Sequence, residues 1–209
     1  MRIARKLVLA LTCLIVAAPA LAQTVSPASP AQAESAPLPR VALETTAGRI
    51  VVEVETVKAP ITAGNFLRYV DHRKLDGIEF YRVSKLSDHF GLVQFGALGD
   101  PKRSYPPIPH EPTTVTGLSH TNGAISIARS EPGTARGDFT LMVGDLSQFD
   151  AKPGGDVGFA AFGHVVEGMD VVVKILDGEI SPTATRNGGY KGEVPVTPVK
   201  ILTARRVAP

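Results

Sequence analysis

Glycine and proline punctuate this chain, 20 and 17 of them in 209 residues, and the runs between these breaks limit what it can build. Most are short and β-like: "VALETTAGRIVVEVET" reads as two strands around Thr46-Ala47-Gly48-Arg49. "IEFYRV", "FGLVQFGALGD", "GAISIAR", "DFTLMVG", "VGFAAFGHVV" and "VKILTARRV" follow as single strands. Two stretches carry helical spacing. "APITAGNFLRYVDHRKLDG" places Pro60 in a first turn and Gly77 as a stop, and pairs Ala63 with Leu67 and Phe66 with Val70. "GMDVVVKILDG" is ambiguous by propensity, but Met169, Val172, Val173 and Leu176 fit one helical face. Many short strands with two helices imply an all-β barrel or sandwich. "PKRSYPPIPHEPTTVTGLSHTN" is too proline-dense for regular structure and reads as a long surface loop.

The strand "DFTLMV" is the most informative of these. Alternation puts Phe139, Leu141 and Val143 on one side, a core face, and Asp138, Thr140 and Met142 on the other. An acid, a hydroxyl and a thioether on one face suit either a solvated surface or the floor of a groove.

The start of the chain stands apart. A basic beginning (Arg2, Arg5, Lys6), an apolar run from Leu7 to Ala18, and Ala20-Leu21-Ala22 before Gln23 form a secretory signal with cleavage after Ala22. The run is shorter than the roughly 20 residues of a bilayer span, so no stable membrane insertion is expected after cleavage. Residues 23–39, rich in Pro, Ala and Ser, read as a flexible tether, and residues 40–209 as one domain. Cleavage removes Cys13, the single cysteine, and leaves 22 − 3 = 19 basic against 20 acidic residues. That balance gives no reason to expect nucleic acid as a partner.

Catalytic motifs of the common classes are missing. The five histidines (His72, His89, His110, His120, His164) contain no pair at metal-site spacing. There is no G-x-S-x-G, P-loop or G-x-G-x-x-G, and "KPGGDVG" lacks the strand-to-helix context of a phosphate cradle. No metal and no cofactor are expected.

Six segments in order, "APITAGNFLRYVD", "DGIEFYRV", "FGLVQFG", "GAISIARSEPGTARGDFTLMVGD", "GFAAFGHVVEGMDVV" and "PVKILTARR", resemble cyclophilin-type peptidyl-prolyl cis-trans isomerases. The likeness spans roughly residues 41–207. It implies a mainly β fold, a closed eight-stranded antiparallel β-barrel capped by two α-helices. It also implies a monomer acting on X-Pro bonds of proline-containing polypeptides, here exported or unfolded chains in the periplasm.

By the same resemblance Arg82, in "FYRV", matches the catalytic arginine, and Gln94, in "LVQFG", the glutamine that holds it and bonds the substrate backbone. Phe90 or Leu92 would line the proline pocket, since extra residues after Val83 blur the correspondence. Phe149 and Phe159 match two further pocket positions, and Ala128 and Arg129 match the backbone-docking pair. Arg129 stands where the family usually has asparagine, so only its main-chain role carries over. Thr140 falls where the family places a pocket-floor phenylalanine, and Asp138 where a glutamine is usual; Asp138 is then in reach of Arg82 as an ion-pair partner. These departures leave open a second reading, a catalytically weak module that binds proline-containing segments, and a third, a barrel that offers only an interaction surface.

Overall fold

The computed structural model describes residues 37–187 and 189–208. The predicted signal and most of the tether lie outside these residues. Eight strands form one antiparallel sheet in the order β10-β1-β2-β7-β5-β6-β4-β3. They are β1 (Arg40–Thr45), β2 (Gly48–Val54), β3 (Phe80–Ser87), β4 (Phe90–Gly96), β5 (Ala124–Ile127), β6 (Asp138–Val143), β7 (Ala160–Glu167) and β10 (Ile201–Val207). The short pair β8 (Ile180–Ser181) and β9 (Val194–Pro195) forms a separate two-stranded sheet with no counterpart in the sequence reading.

The sheet curls but is not a closed barrel, which corrects the expectation. Its two ends, β3 and β10, meet through one isolated bridge, Glu79 to Lys200. Neighbouring main-chain bonds (Gly77 N–H to Ile201 O, 2.7 Å; Phe80 N–H to Val199 O, 2.9 Å) support it. Beyond Phe80 the free edge of β3 turns to another partner: Val83 N–H donates to Glu193 O at 2.8 Å. The stretch leading into β9 therefore takes the edge that a continuing ladder to β10 would need.

The inner face of the curl holds the core. Val41, Leu43, Ile50, Val52, Phe80, Val93, Phe95, Phe139, Leu141 and Phe162 are essentially inaccessible there, as strict alternation along half-buried strands requires. Two helices complete it. α1 (Pro60–Asp71) buries Ala63, Phe66, Leu67 and Val70, with the Phe66 ring edge-on to Phe139 at 5.0 Å. α3 (Met169–Leu176) buries Val172, Ile175 and Leu176.

The proline-rich stretch is a loop as far as Pro112, and Thr113–Thr116 then form a single helical turn, α2. Its work is visible at Glu111. The buried carboxylate accepts hydrogen bonds from Ile61 N–H (3.1 Å) and Thr62 N–H (2.6 Å). It thereby satisfies orphan donors in the first turn of α1, where Pro60 has no N–H to satisfy.

Candidate active site

An open cavity of about 260 Å³ lies on the outer face of the sheet, over β3, β4, β6 and β5. Cross-strand register builds its floor. Arg82 is opposite Gln94, Gln94 opposite Thr140, and Thr140 opposite Ser126, so four polar side chains form one row across four strands. The next row, Leu92 and Met142, is apolar. Because the side-chain period of a strand is two, the residues between them (Val93, Phe139, Leu141) point into the core.

A bulge sets the charged end of the row. Phe80 pairs with Phe95 and Arg82 with Gln94, so β3 carries one residue more than β4 across this step. The extra residue turns Tyr81 and Arg82 both to the outer face, where they bracket Gln94. Arg82 Nη1 donates to Gln94 Oε1 (3.1 Å), Gln94 Nε2 to the Tyr81 hydroxyl (2.7 Å), and Tyr81 in turn to Asp138 Oδ1 (3.0 Å). Leu98 N–H adds a second donor to Asp138 at 2.8 Å. Burial holds the Asp138 carboxyl above its ordinary range, against these two hydrogen bonds. Burial, with the nearby Asp138 charge, likewise raises the Tyr81 phenol. Asp138 is thus tied to Arg82 through two intermediaries, and the direct ion pair expected from the sequence is not formed.

Glu193 is the partner of Arg82 instead. Arg82 Nε donates to its Oε2 at 2.7 Å and Nη2 to its Oε1 at 3.3 Å, while the Ser84 hydroxyl donates to Oε1 at 2.6 Å. Burial would lift the Glu193 carboxyl; the Arg82 and Ser84 hydrogen bonds and the guanidinium charge outweigh it and hold it below its ordinary 4.5. The Tyr190 ring covers the guanidinium, with Cζ 4.6 Å from its centroid. Three of the five guanidinium N–H groups are engaged in this way.

The apolar wall comes from the chain after β6. Phe149, the last residue of a one-turn 3₁₀ helix (Ser147–Phe149), meets Phe159 edge-to-face at 5.7 Å, and both line the cavity with Leu92 and Met142. Phe90 does not line it. Its ring packs behind, against Gly144 (φ +88°), where a Cβ would meet the ring at 2.3 Å. Ala128 and Arg129 form the far rim, and Ala128 N–H donates to Asp138 O at 2.8 Å. The Arg129 side chain turns away to the Gly158 carbonyl and lies over the Phe159 ring (4.8 Å). Asp138 lines a second cavity of about 550 Å³, which shares Gln94, Ala128, Arg129 and Tyr190 with the first.

Under the floor, His120 Nδ1 lies 2.5 Å from Asp150 Oδ1 and its Nε2 lies 2.9 Å from Ser126 Oγ. This is the order of a Ser–His–Asp hydrolase triad. Ser126, however, is only 1% exposed and His120 fully buried, which leaves a nucleophile no approach. The network works as a strut beneath the Ser126–Thr140 pair.

Of the residues singled out in the sequence, Arg82, Leu92, Gln94, Ala128, Arg129, Thr140, Phe149 and Phe159 line the first cavity; Tyr81, Ser84, Tyr190 and Glu193, which carry no local signal, join them through the hydrogen bonds and the ring contact described above. A family model for cyclophilin type peptidyl-prolyl cis-trans isomerases matches residues 40–206. The chain belongs to the cyclophilin-type isomerase family. It is 35% identical to a peptidyl-prolyl cis-trans isomerase of Acinetobacter baylyi over 166 residues, 79% of this chain and 84% of that protein. It is also 35% identical to the peptidyl-prolyl cis-trans isomerase A of Dickeya dadantii, covering 79% and 83%. A solved cyclophilin of Cryptosporidium parvum, crystallised in the presence of the dipeptide Ala-Pro, shares the fold with a TM-score of 0.64 at 17% identity, over 81% of this chain and 99% of that one. Like its relatives, this cyclophilin is an isomerase of X-Pro peptide bonds.

Proposed function

We propose that Arg82 and Gln94 are the catalytic pair, and that the cavity grips the proline ring between Leu92, Met142, Phe149 and Phe159. The chemistry breaks no bond. Rotation about an amide meets a barrier of about 18–20 kcal/mol, which resonance supplies. A guanidinium that donates toward the imide nitrogen and the proline carbonyl favours the twisted, single-bond-like amide over either planar form, a preference offered to the transition state. Gln94, fixed at both ends by Arg82 and Tyr81, is left to meet the substrate main chain, and Ala128 and Arg129 offer main-chain groups at the rim. The observation that carries this reading is the adjacency of the Arg82 guanidinium and an apolar slot in a single cavity. The Ala-Pro dipeptide present with the Cryptosporidium relative supports proline-containing polypeptides as substrates here too.

The basic, apolar and A-x-A sequence at the start supports export and a periplasmic location, with residues 23–39 as tether and one domain from residue 40. Unfolded or newly exported chains are then the natural substrates. A protease-coupled assay on Ala-Pro peptides tests the catalytic pair: parent activity with Arg82→Ala inactive supports it, and an unimpaired Arg82→Ala refutes it. Mass spectrometry of secreted material tests export, since a retained Met1 would refute it.

A further inference from the structure

We infer that Glu193 is a positioning residue that sets the guanidinium of Arg82 for catalysis, the turn from Tyr190 to Glu193 being a working part of the active site. The inference rests on the assignment of Arg82 as the catalytic cation.

Glu193 lies 111 positions from Arg82 in the sequence, and two main-chain bonds deliver it. Val83 N–H donates to its carbonyl at 2.8 Å, and its own N–H donates to Tyr190 O at 2.9 Å. The first fastens the segment to the free edge of β3; the second folds the segment back so that Tyr190 comes over the same strand. Arg82 and Ser84, two apart on β3, then point to one face, and the carboxylate sits between them. Oε2 takes the Nε–H bond, and Oε1 takes both Nη2 and the Ser84 hydroxyl.

A free arginine side chain turns about four bonds and spends little time in any one orientation. Here one edge of the guanidinium plane is fixed by a forked carboxylate, Nη1 is fixed by Gln94, and the face is covered by Tyr190. Rotation is arrested before substrate arrives, which is how a positioned group lowers a barrier. Only a carboxylate offers two acceptors to that fork. A glutamine amide would present an N–H₂ to one of the guanidinium donors, and the fork would open.

The test uses the full domain with Glu193→Gln, Arg82→Ala and the double variant, following X-Pro exchange by NMR over a range of peptide concentrations. We expect Glu193→Gln to lower kcat about tenfold or more with KM changed less than about twofold, as for an interaction made in the transition state. Tm should stay within a few degrees. Added to Arg82→Ala, the same change should cost nothing further, because Glu193 acts through the arginine alone. Should Glu193→Gln fold poorly, Ser84→Ala loosens the same carboxylate and should give a smaller loss, also in kcat. Parent-level or raised kcat in Glu193→Gln, with Arg82→Ala inactive, overturns this inference and leaves the catalytic arginine standing. A loss carried by KM or by Tm alone overturns it as well. An active Arg82→Ala overturns the underlying assignment instead.

Discussion

Strand β6 presents two surfaces governed by different rules. Inward, Phe139, Leu141 and Val143 are all but inaccessible, and Phe139 touches the rings of Phe66, Tyr69, Phe95 and Phe162 at 5.0 to 6.0 Å between centroids. Outward, Asp138, Thr140 and Met142 face two cavities and a hydrogen-bonded row. The inner face is specified by volume: apolar groups of the right size fill it, and a hole there is costly. The outer face is specified by donors and acceptors. Exchanging Thr140 for another group leaves the curl of the sheet intact and changes what the groove can hold.

Mutating one face at a time breaks or sharpens that contrast. The largest effect is expected inside. Phe139→Ala should cost about 3–5 kcal/mol, the range for an aromatic removed from a closed core, read as a lower midpoint in urea. A cost below about 1 kcal/mol would mean that the core collapses around the gap, and the distinction between the faces would weaken.

Arg82→Ala comes next and should act the other way. Turnover should fall at least about a hundredfold, near 2.7 kcal/mol of transition-state stabilisation. The urea midpoint should hardly move, because a partly exposed ion pair with Glu193 contributes little to stability. A variant that unfolds early at full specific activity would make Arg82 a structural residue.

How far these two faces could be read from the chain depends on the range of the information. Alternation along "DFTLMV" is local, and it sorts Phe139 from Thr140 correctly because nothing interrupts the pleat of β6. The helical faces of α1 and α3 are legible for the same reason. Alternation fails on β3: the bulge at Tyr81 sends two consecutive side chains outward, and no residue type in "FYRV" announces it. Glu193 could not be foreseen at all. It is a lone acid in a glycine-containing loop without periodicity, joined to Arg82 only by the fold. Closure of the sheet fails likewise, since it depends on which chain takes the edge of β3, a pairing between segments over 100 residues apart. Local pattern predicts faces; it does not predict partners.

Thr140→Phe sharpens the outer side. The new ring would grow into the open cavity rather than the core, over the slot made by Leu92 and Met142, and would offer the proline ring a larger apolar surface. Only a long, 3.4 Å contact from Thr140 Oγ1 to Ser126 O is lost. Catalytic efficiency should rise about tenfold, corresponding to roughly 1.4 kcal/mol of added contact. A smaller gain indicates that Met142 already fills the space. Early melting without faster turnover would place Thr140 in a closed core and make both faces of β6 volume-limited.

The smallest effect is expected from pH, and it probes the strut under the outer face. Burial pushes the His120 pKa below its ordinary 6.5, against the upward pull of the hydrogen bond and charge of Asp150. The native ring is therefore neutral at pH 7, with Nδ1–H donating to Asp150 and Nε2 facing Ser126 Oγ. As the pH falls below 6.5, the unfolded chain takes up a proton on this histidine before the folded chain does. Stability then declines from about pH 6.5 downward, through the lower folded-state value, and is constant above that window. Asp150 adds a separate, more acidic window. Burial raises its carboxyl, but Ser119 and His120 more than offset this and hold it below 3.8, so its contribution is lost only as the pH falls below that value. In the milder window Tm should fall by a few degrees, each 1 kcal/mol being worth about 2–4 °C at this size. His120→Asn lowers Tm at every pH, because Asp150 and Ser126 lose a partner, so the decisive quantity is the slope. Between pH 7.5 and 5 the variant should show a flatter Tm profile than the parent. Identical slopes would mean that His120 takes up its proton alike in the folded and unfolded chain, and a variant profile that falls more steeply than the parent's would mean that the folded ring is charged and the support beneath the groove an ion pair rather than a neutral strut.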